Sequence, residues 1–132
     1  MTPSQRIKKA IIERAEYFSK NGMKTQNVTV ENVDQLYDAF WEETDCADWM
    51  QDAEADIRCG EHETGIDGKN YNRYFEDKEV AMEIDGVWVG WTYYFGGGKH
   101  SEPEAVDWID NAYEIKMETK MMPVLFFSRV EE

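Results

Sequence analysis

Seven carboxylates step along the chain at Asp34, Asp38, Glu42, Asp45, Asp48, Asp52 and Asp56, at intervals of 4, 4, 3, 3, 4 and 4 residues. If the segment is helical, that spacing holds all seven on one face. Like charges at i,i+4 oppose a helix by roughly 0.2–0.5 kcal/mol per pair, and a purely structural helix interleaves lysines to avoid the repulsion. Here residues 31–56, ENVDQLYDAFWEETDCADWMQDAEAD, hold ten acids and no Lys or Arg. Extending the count to residue 63 gives twelve acids against Arg58 alone, a net -11 of the chain's -14. Such a face has two uses: ordinary solvation of an acidic helix, or recognition of a basic partner. Ten carboxylates over 26 residues amount to one per about 4 Å of helix axis. The phosphates of one DNA strand recur every 3.4 Å or so. A surface of that density could enter a groove built for nucleic acid, steered in by charge and weakened by salt.

A second candidate is the run YFGGGKHSEPE. Gly96, Gly97 and Gly98 lie between a predicted strand and a predicted helix, with Lys99 and His100 beside them. Free backbone amides and two basic side chains there could hold a phosphate or carboxylate. On this alternative reading the chain is a small enzyme or ligand-binding domain for a phosphate or nucleotide. The run is not a P-loop, which would need glycine at Tyr93 and Ser or Thr at His100. The same glycines also serve simply to let a strand leave its sheet. Cys46, Cys59, His62 and His100 do not make a recognisable set of metal ligands, since Cys59 and His62 lack a matching second pair. No catalytic residue, cofactor or metal is expected from these patterns.

The elements that must carry these residues follow from periodicity. From Ser4 to about Lys20, Ile7, Ile11, Ala15 and Phe18 recur at helical spacing, and Asn21–Met23 supplies a stop. The acidic stretch has its own helical stripe in Val33, Leu36/Tyr37, Phe40, Thr44, Ala47 and Met50, which recur every three or four residues. It reads either as one helix to Ile57 or as two that break near Thr44–Asp45. A hairpin follows, with Asp85-Gly86 as a two-residue turn that suits positive φ. That turn sets Ile84 opposite Val87, Met82 opposite Val89 and Val80 opposite Trp91, all on the core side. Trp88 and Tyr94 then fall on the other face, near Glu79 and Glu83. An exposed aromatic cluster rimmed by acids would suit a protein interface. Ser101 and Glu104 form a capping-box pattern for a short helix to about Asn111. YEIKMETK alternates as a half-buried strand with Tyr113, Ile115 and Met117 inward, and PVLFFSRV reads as a last strand. The expected order is α-α-β-β-α-β-β, one α+β domain over residues 1–132 with a mostly antiparallel sheet of about four strands.

Composition bounds the function. The chain has 132 residues, 42% of them hydrophobic and 14% aromatic, enough for a packed core. A net charge of -14 repels nucleic acid and anionic lipid and favours basic partners. Two cysteines, a polar N-terminus and the lack of a membrane-length apolar run point to a cytoplasmic protein with reduced thiols. The segment WTYYFGGGKHSEPEAVDWIDNAY resembles stretches in small proteins of phages and other mobile elements. In size and charge the chain is similar to phage-encoded anti-defence proteins, which include DNA mimics that block restriction or CRISPR nucleases. The resemblance implies a non-enzymatic inhibitor that acts in a host cytoplasm on a protein with a basic nucleic-acid-binding groove. The basic residues Arg6, Lys8, Lys9 and Arg14 near the N-terminus depart from a wholly acidic mimic.

Overall fold

The computed structural model describes residues 1–24, 27–68 and 74–130. Helix α1 runs over Pro3–Ser19. It opens on a capping box in which Gln5 N–H donates to the Thr2 hydroxyl and Thr2 N–H donates back to the Gln5 side chain. It ends where Lys20 and Asn21 take positive φ values of 49° and 78°. Ile7, Ile11, Ile12 and Ala15 on one face are completely buried.

The acidic segment forms two helices, α2 over Val33–Glu42 and α3 over Thr44–Arg58. The break is the single residue Glu43, whose backbone is extended at φ -81° and ψ 123°. Geometry explains why the segment does not run straight. Residues 31–56 as one helix would extend about 39 Å, against about 25 Å for α1. Breaking the rod lets both acidic helices pack against α1 and against each other. Val33, Met50, Ala53 and Ile57 thereby enter one core cluster with α1.

The sheet is antiparallel, in the order β1-β2-β3-β4. Strands β2 (Glu76–Ile84) and β3 (Val87–Phe95) form the hairpin, with Ile84 opposite Val87, Met82 opposite Val89 and Val80 opposite Trp91. The turn has φ 51° at Asp85 and 79° at Gly86, the positive pair that a type I′ turn requires. Val80, Ile84, Val89 and Trp91 close the core against the helices. The Trp91 indole N–H donates to the Arg58 carbonyl at 2.8 Å, tying the sheet to the end of α3.

The fold is thus α+β with four antiparallel strands, but two of its parts differ from expectation. The expected helix to Asn111 is a 3₁₀ turn over Pro103–Ala105. Ser101 does not cap it: the hydroxyl lies 2.8 Å from the Gly96 carbonyl and 2.7 Å from the Gly98 carbonyl, closing the glycine loop instead. The sheet's edge strands are the two-residue β1 (His62–Glu63) and the three-residue β4 (Tyr113–Ile115). Pro123–Val130 is not a strand. The reason lies in register. β4 pairs Tyr113 with Gly90 and Ile115 with Trp88, so one more step sets Lys116 against Val87, and the next falls on the Gly86 turn. The sheet has ended before the last apolar run begins. Met117, expected inward, is exposed accordingly.

Candidate functional site

All seven residues of the acidic stripe are solvent-exposed. Asp34, Asp38 and Glu42 share one face of α2, and Asp45, Asp48, Asp52 and Asp56 share one face of α3. The bend at Glu43 separates these into two short rows, so the stripe is not one straight ladder of charge.

Its two ends are neutralised from α1. The Asp34 carboxylate accepts from Lys8 at 3.0 Å and from Gln5 at 3.1 Å. The Gln5 hydrogen bond, with Lys8 second, holds Asp34 below the usual carboxylate range. Arg14 reaches Asp56 at 2.8 Å. Among the described residues, Asp38, Glu42, Asp45, Asp48 and Asp52 make no ion pair. They surround the α2–α3 corner, with Glu43 in the bend. Sequence spacing alone missed that α1 lends cations to this face. Lys8 and Arg14 lie six residues apart in the chain, under two turns of helix.

Beside the corner the surface is concave. A cleft of about 410 Å³ is lined by Lys8, Tyr37, Asp38, Glu54, Trp108 and Asp110, among others. A neighbouring one, also about 410 Å³, is lined by Trp41, Gln51, Glu54, Arg58 and Glu104. Glu54 borders both clefts and is half-buried. Burial raises its pKa, while the Trp108 indole and Arg58 oppose that rise. The Tyr37 hydroxyl is pushed well above its ordinary range, first by burial and then by Glu54. Both clefts already carry a cation of the chain itself: Lys8 stands over the Tyr37 ring at 5.4 Å and Arg58 over the Tyr93 ring at 4.6 Å.

The other expected sites are less well assembled. Tyr94 is 1% exposed, so it cannot be part of an exposed aromatic cluster. Trp88 is half-buried and lies against His62, with ring centroids 5.4 Å apart. The second sheet face is buried at Glu79, Ala81, Gly90 and Tyr94 while Glu83 on it stays exposed; the small residues Ala81 and Gly90 could have signalled that cover. The Tyr113 ring occupies the space where a Gly90 side chain would begin. Its hydroxyl donates to the buried Glu79 at 2.7 Å. Burial, followed by that hydrogen bond, raises the Tyr113 pKa.

Gly96, Gly97 and Gly98 take φ values of 76°, 89° and 101°, and Lys99 and His100 are exposed beyond them. The loop turns its carbonyls in on Ser101 and meets only three residues of 3₁₀ helix. No α-helix N-terminus stands behind it to supply amides for an anion. Among the described residues, no three His, Cys, Asp or Glu side chains are grouped to hold a metal. Cys46 is buried, with its thiol pushed up to about 11 mainly by burial, and Cys59 is exposed. No helix of the described residues is long and apolar enough to cross a membrane. No protein-family model, curated protein or solved structure matches the chain.

Proposed function

We propose that the chain is a non-enzymatic binding protein whose α2–α3 corner engages a basic groove on a nucleic-acid-handling protein. The observation that carries this reading is the set of exposed carboxylates Asp38, Glu42, Asp45, Asp48 and Asp52 around one bend, none of which makes an ion pair among the described residues. A folded protein that needed only solubility would spread its acids or interleave cations, as α1 does at the two ends of the same face. In the adjoining cleft Lys8 of the chain itself stands over the Tyr37 ring, 5.4 Å from its centroid, so a partner's basic side chain would meet the carboxylates of the corner rather than that ring. Because the rows bend, the corner imitates a short, curved stretch of phosphates rather than a straight duplex. An inhibitor of a nuclease or defence complex, encoded by a phage or mobile element, fits this surface.

The triple variant Asp38→Lys, Asp45→Lys and Asp52→Lys tests the reading. Capture from a nuclease-treated host lysate should recover a nucleic-acid-binding protein on the wild-type chain, and added duplex DNA should displace it. Captured binding should weaken by two orders of magnitude or more in the variant, at roughly 1.5 kcal/mol or more per reversed contact. It should also fall with salt. The variant should fold normally, since none of the three is buried and none is ion-paired among the described residues. Capture that is indifferent to both the reversal and salt would refute the assignment.

A further inference from the structure

The apolar residues left in solvent are concentrated in one stretch of chain. Met121, Val124, Leu125, Phe126, Phe127 and Val130 are between 68% and 98% exposed. Scattered surface apolar residues are ordinary, but a contiguous run containing two adjacent phenylalanines marks a contact surface. Nothing in this run joins the core cluster of its own domain. From residue 116 to 130 the chain has no helix, strand, turn or bend. The apolar side chains of this segment stay in solvent rather than on the body of their own chain.

A receiving surface lies on the same molecule, two strands away from where the tail departs. The outer edge of β2 is paired with β1 only at Val80 and Ala81. Beyond Ala81, no strand of the described residues covers it as far as the hairpin tip. Beside this open edge is a groove of about 300 Å³ between α1 and the hairpin, lined by Ala10, Tyr17, Ile57, Met82 and Ile84. Tyr17 at its rim is 77% exposed. Glu13, Arg14, Glu83 and Asp85 also border the groove. Lys9 pairs with Glu13 and Asp85, and Arg14 with Asp56. Among the described residues Glu83 is therefore the groove carboxylate without an ion pair, and the tail carries Arg129 beside its apolar run. An open strand edge with an apolar floor accepts an extended peptide by β-addition, backbone bonds giving affinity and pockets taking alternate side chains.

We propose that the chain dimerises by reciprocal exchange of its C-terminal tails, each laying residues 121–130 into the groove between α1 and β2 of the other copy. The occupant is a second copy because the tail stays exposed in its own chain and outside its own groove, while a two-fold arrangement satisfies both tails and both grooves at once. Charge permits it. Residues 116–132 carry Lys116, Lys120 and Arg129 against Glu118, Glu131 and Glu132, so the tail is neutral and the whole -14 lies in residues 1–115. The area also suffices. At roughly 150–250 Å² per aromatic side chain, the four phenylalanines of two tails supply about 600–1,000 Å² before the receiving surfaces are counted. A specific interface buries about 1,200–2,000 Å² in all.

Sedimentation velocity of the full chain across micromolar concentrations tests the exchange. A dimer that dissociates on dilution is expected, and salt should tighten it by screening the two acidic bodies. The double variant Phe126→Asp and Phe127→Asp should be monomeric, with self-association weakened at least about 100-fold and an unchanged far-ultraviolet spectrum. A photo-crosslinker at position 126 should join two chains through the groove peptides that contain Tyr17 or Met82. A monomer at the highest concentration, a dimer that survives the double variant, or crosslinks confined to one chain would each overturn the exchange. The opposite salt responses expected here and for the basic partner keep the two readings separable.

Discussion

The hairpin strand VWVGWTYYF and the tail PVLFFSRV are both short, apolar and rich in strand-forming residues, yet they end in opposite states. Every residue of Val87–Phe95 is paired across the hairpin, and Val89 and Trp91 are completely buried. In the tail, Phe126 and Phe127 are 89% and 92% exposed. Composition does not separate them. What separates them is a partner: the hairpin strand is joined to its mate by a two-residue turn, so the loop closes at low entropic cost. The tail begins where β3 has already turned, and no neighbouring backbone is left for it. Strand propensity describes a side chain that fits a pleated surface, and only pairing supplies that surface.

That contrast is most easily broken by truncating one large aromatic on each side of it. Trp91→Ala should cost roughly 3–5 kcal/mol and also release the Arg58 carbonyl from its indole donor. Phe126→Ala, in urea melts dilute enough to keep the chain monomeric, should change stability by less than about 0.5 kcal/mol. Comparable losses at the two positions would mean that the tail is packed on its own body.

A smaller effect concerns the loop that follows the hairpin. Gly97 has φ 89°, and a Cβ there would come within 2.6 Å of the Phe75 ring. Gly97→Ala should therefore destabilise by roughly 1–3 kcal/mol, whereas Lys99→Ala and His100→Ala should leave the melting midpoint almost unchanged. This pattern marks the glycines as a structural turn. A loss of inorganic phosphate binding on changing Lys99 or His100 would revive the anion-loop alternative.

The smallest effect is electrostatic. Burial raises the pKa of Glu54 in the fold, so its ionised form is disfavoured there relative to the unfolded chain. Below the unfolded carboxylate range the group is protonated in both states, and its contribution is fully present. As pH rises through the folded pKa, that contribution is lost. Glu54→Gln should thus raise the melting temperature by a few degrees at neutral pH, with the gain vanishing in acid. A gain that persists at low pH would trace to packing rather than to charge.

Much of the fold was legible because its determinants are local. The Asp85-Gly86 turn set the hairpin register residue for residue, and the periodicity of α1 with its Asn21–Met23 stop set its ends to within a residue. The exposure of the acidic stripe followed from an apolar stripe on the opposite side of the same segment. Less was legible where the deciding neighbour is distant in sequence. Ser101 and Glu104 have the spacing of a capping box, but the Ser101 hydroxyl is occupied by two glycine-loop carbonyls. Tyr94 sits on the face predicted to be outward, and is nevertheless buried there along with Glu79 and Ala81.

By itself the sequence determined the α+β class, the helix α1, the hairpin with its register, and a concentration of negative charge between residues 31 and 63. Turn chemistry and side-chain periodicity act within a few residues, so they can be read without knowing the fold. The sequence left the acidic segment either continuous to Ile57 or broken near Thr44–Asp45, and the tertiary structure decided for a break, at Glu43. Tertiary structure alone decided that Lys8 and Arg14 pair at the ends of its charge and that the last apolar run finds no place in the sheet. Each of these depends on how far one element reaches before another ends: the length of α1 beneath the acidic helices, and the length of β3 beside β4. Reach is a property of the assembled chain, and no local pattern encodes it.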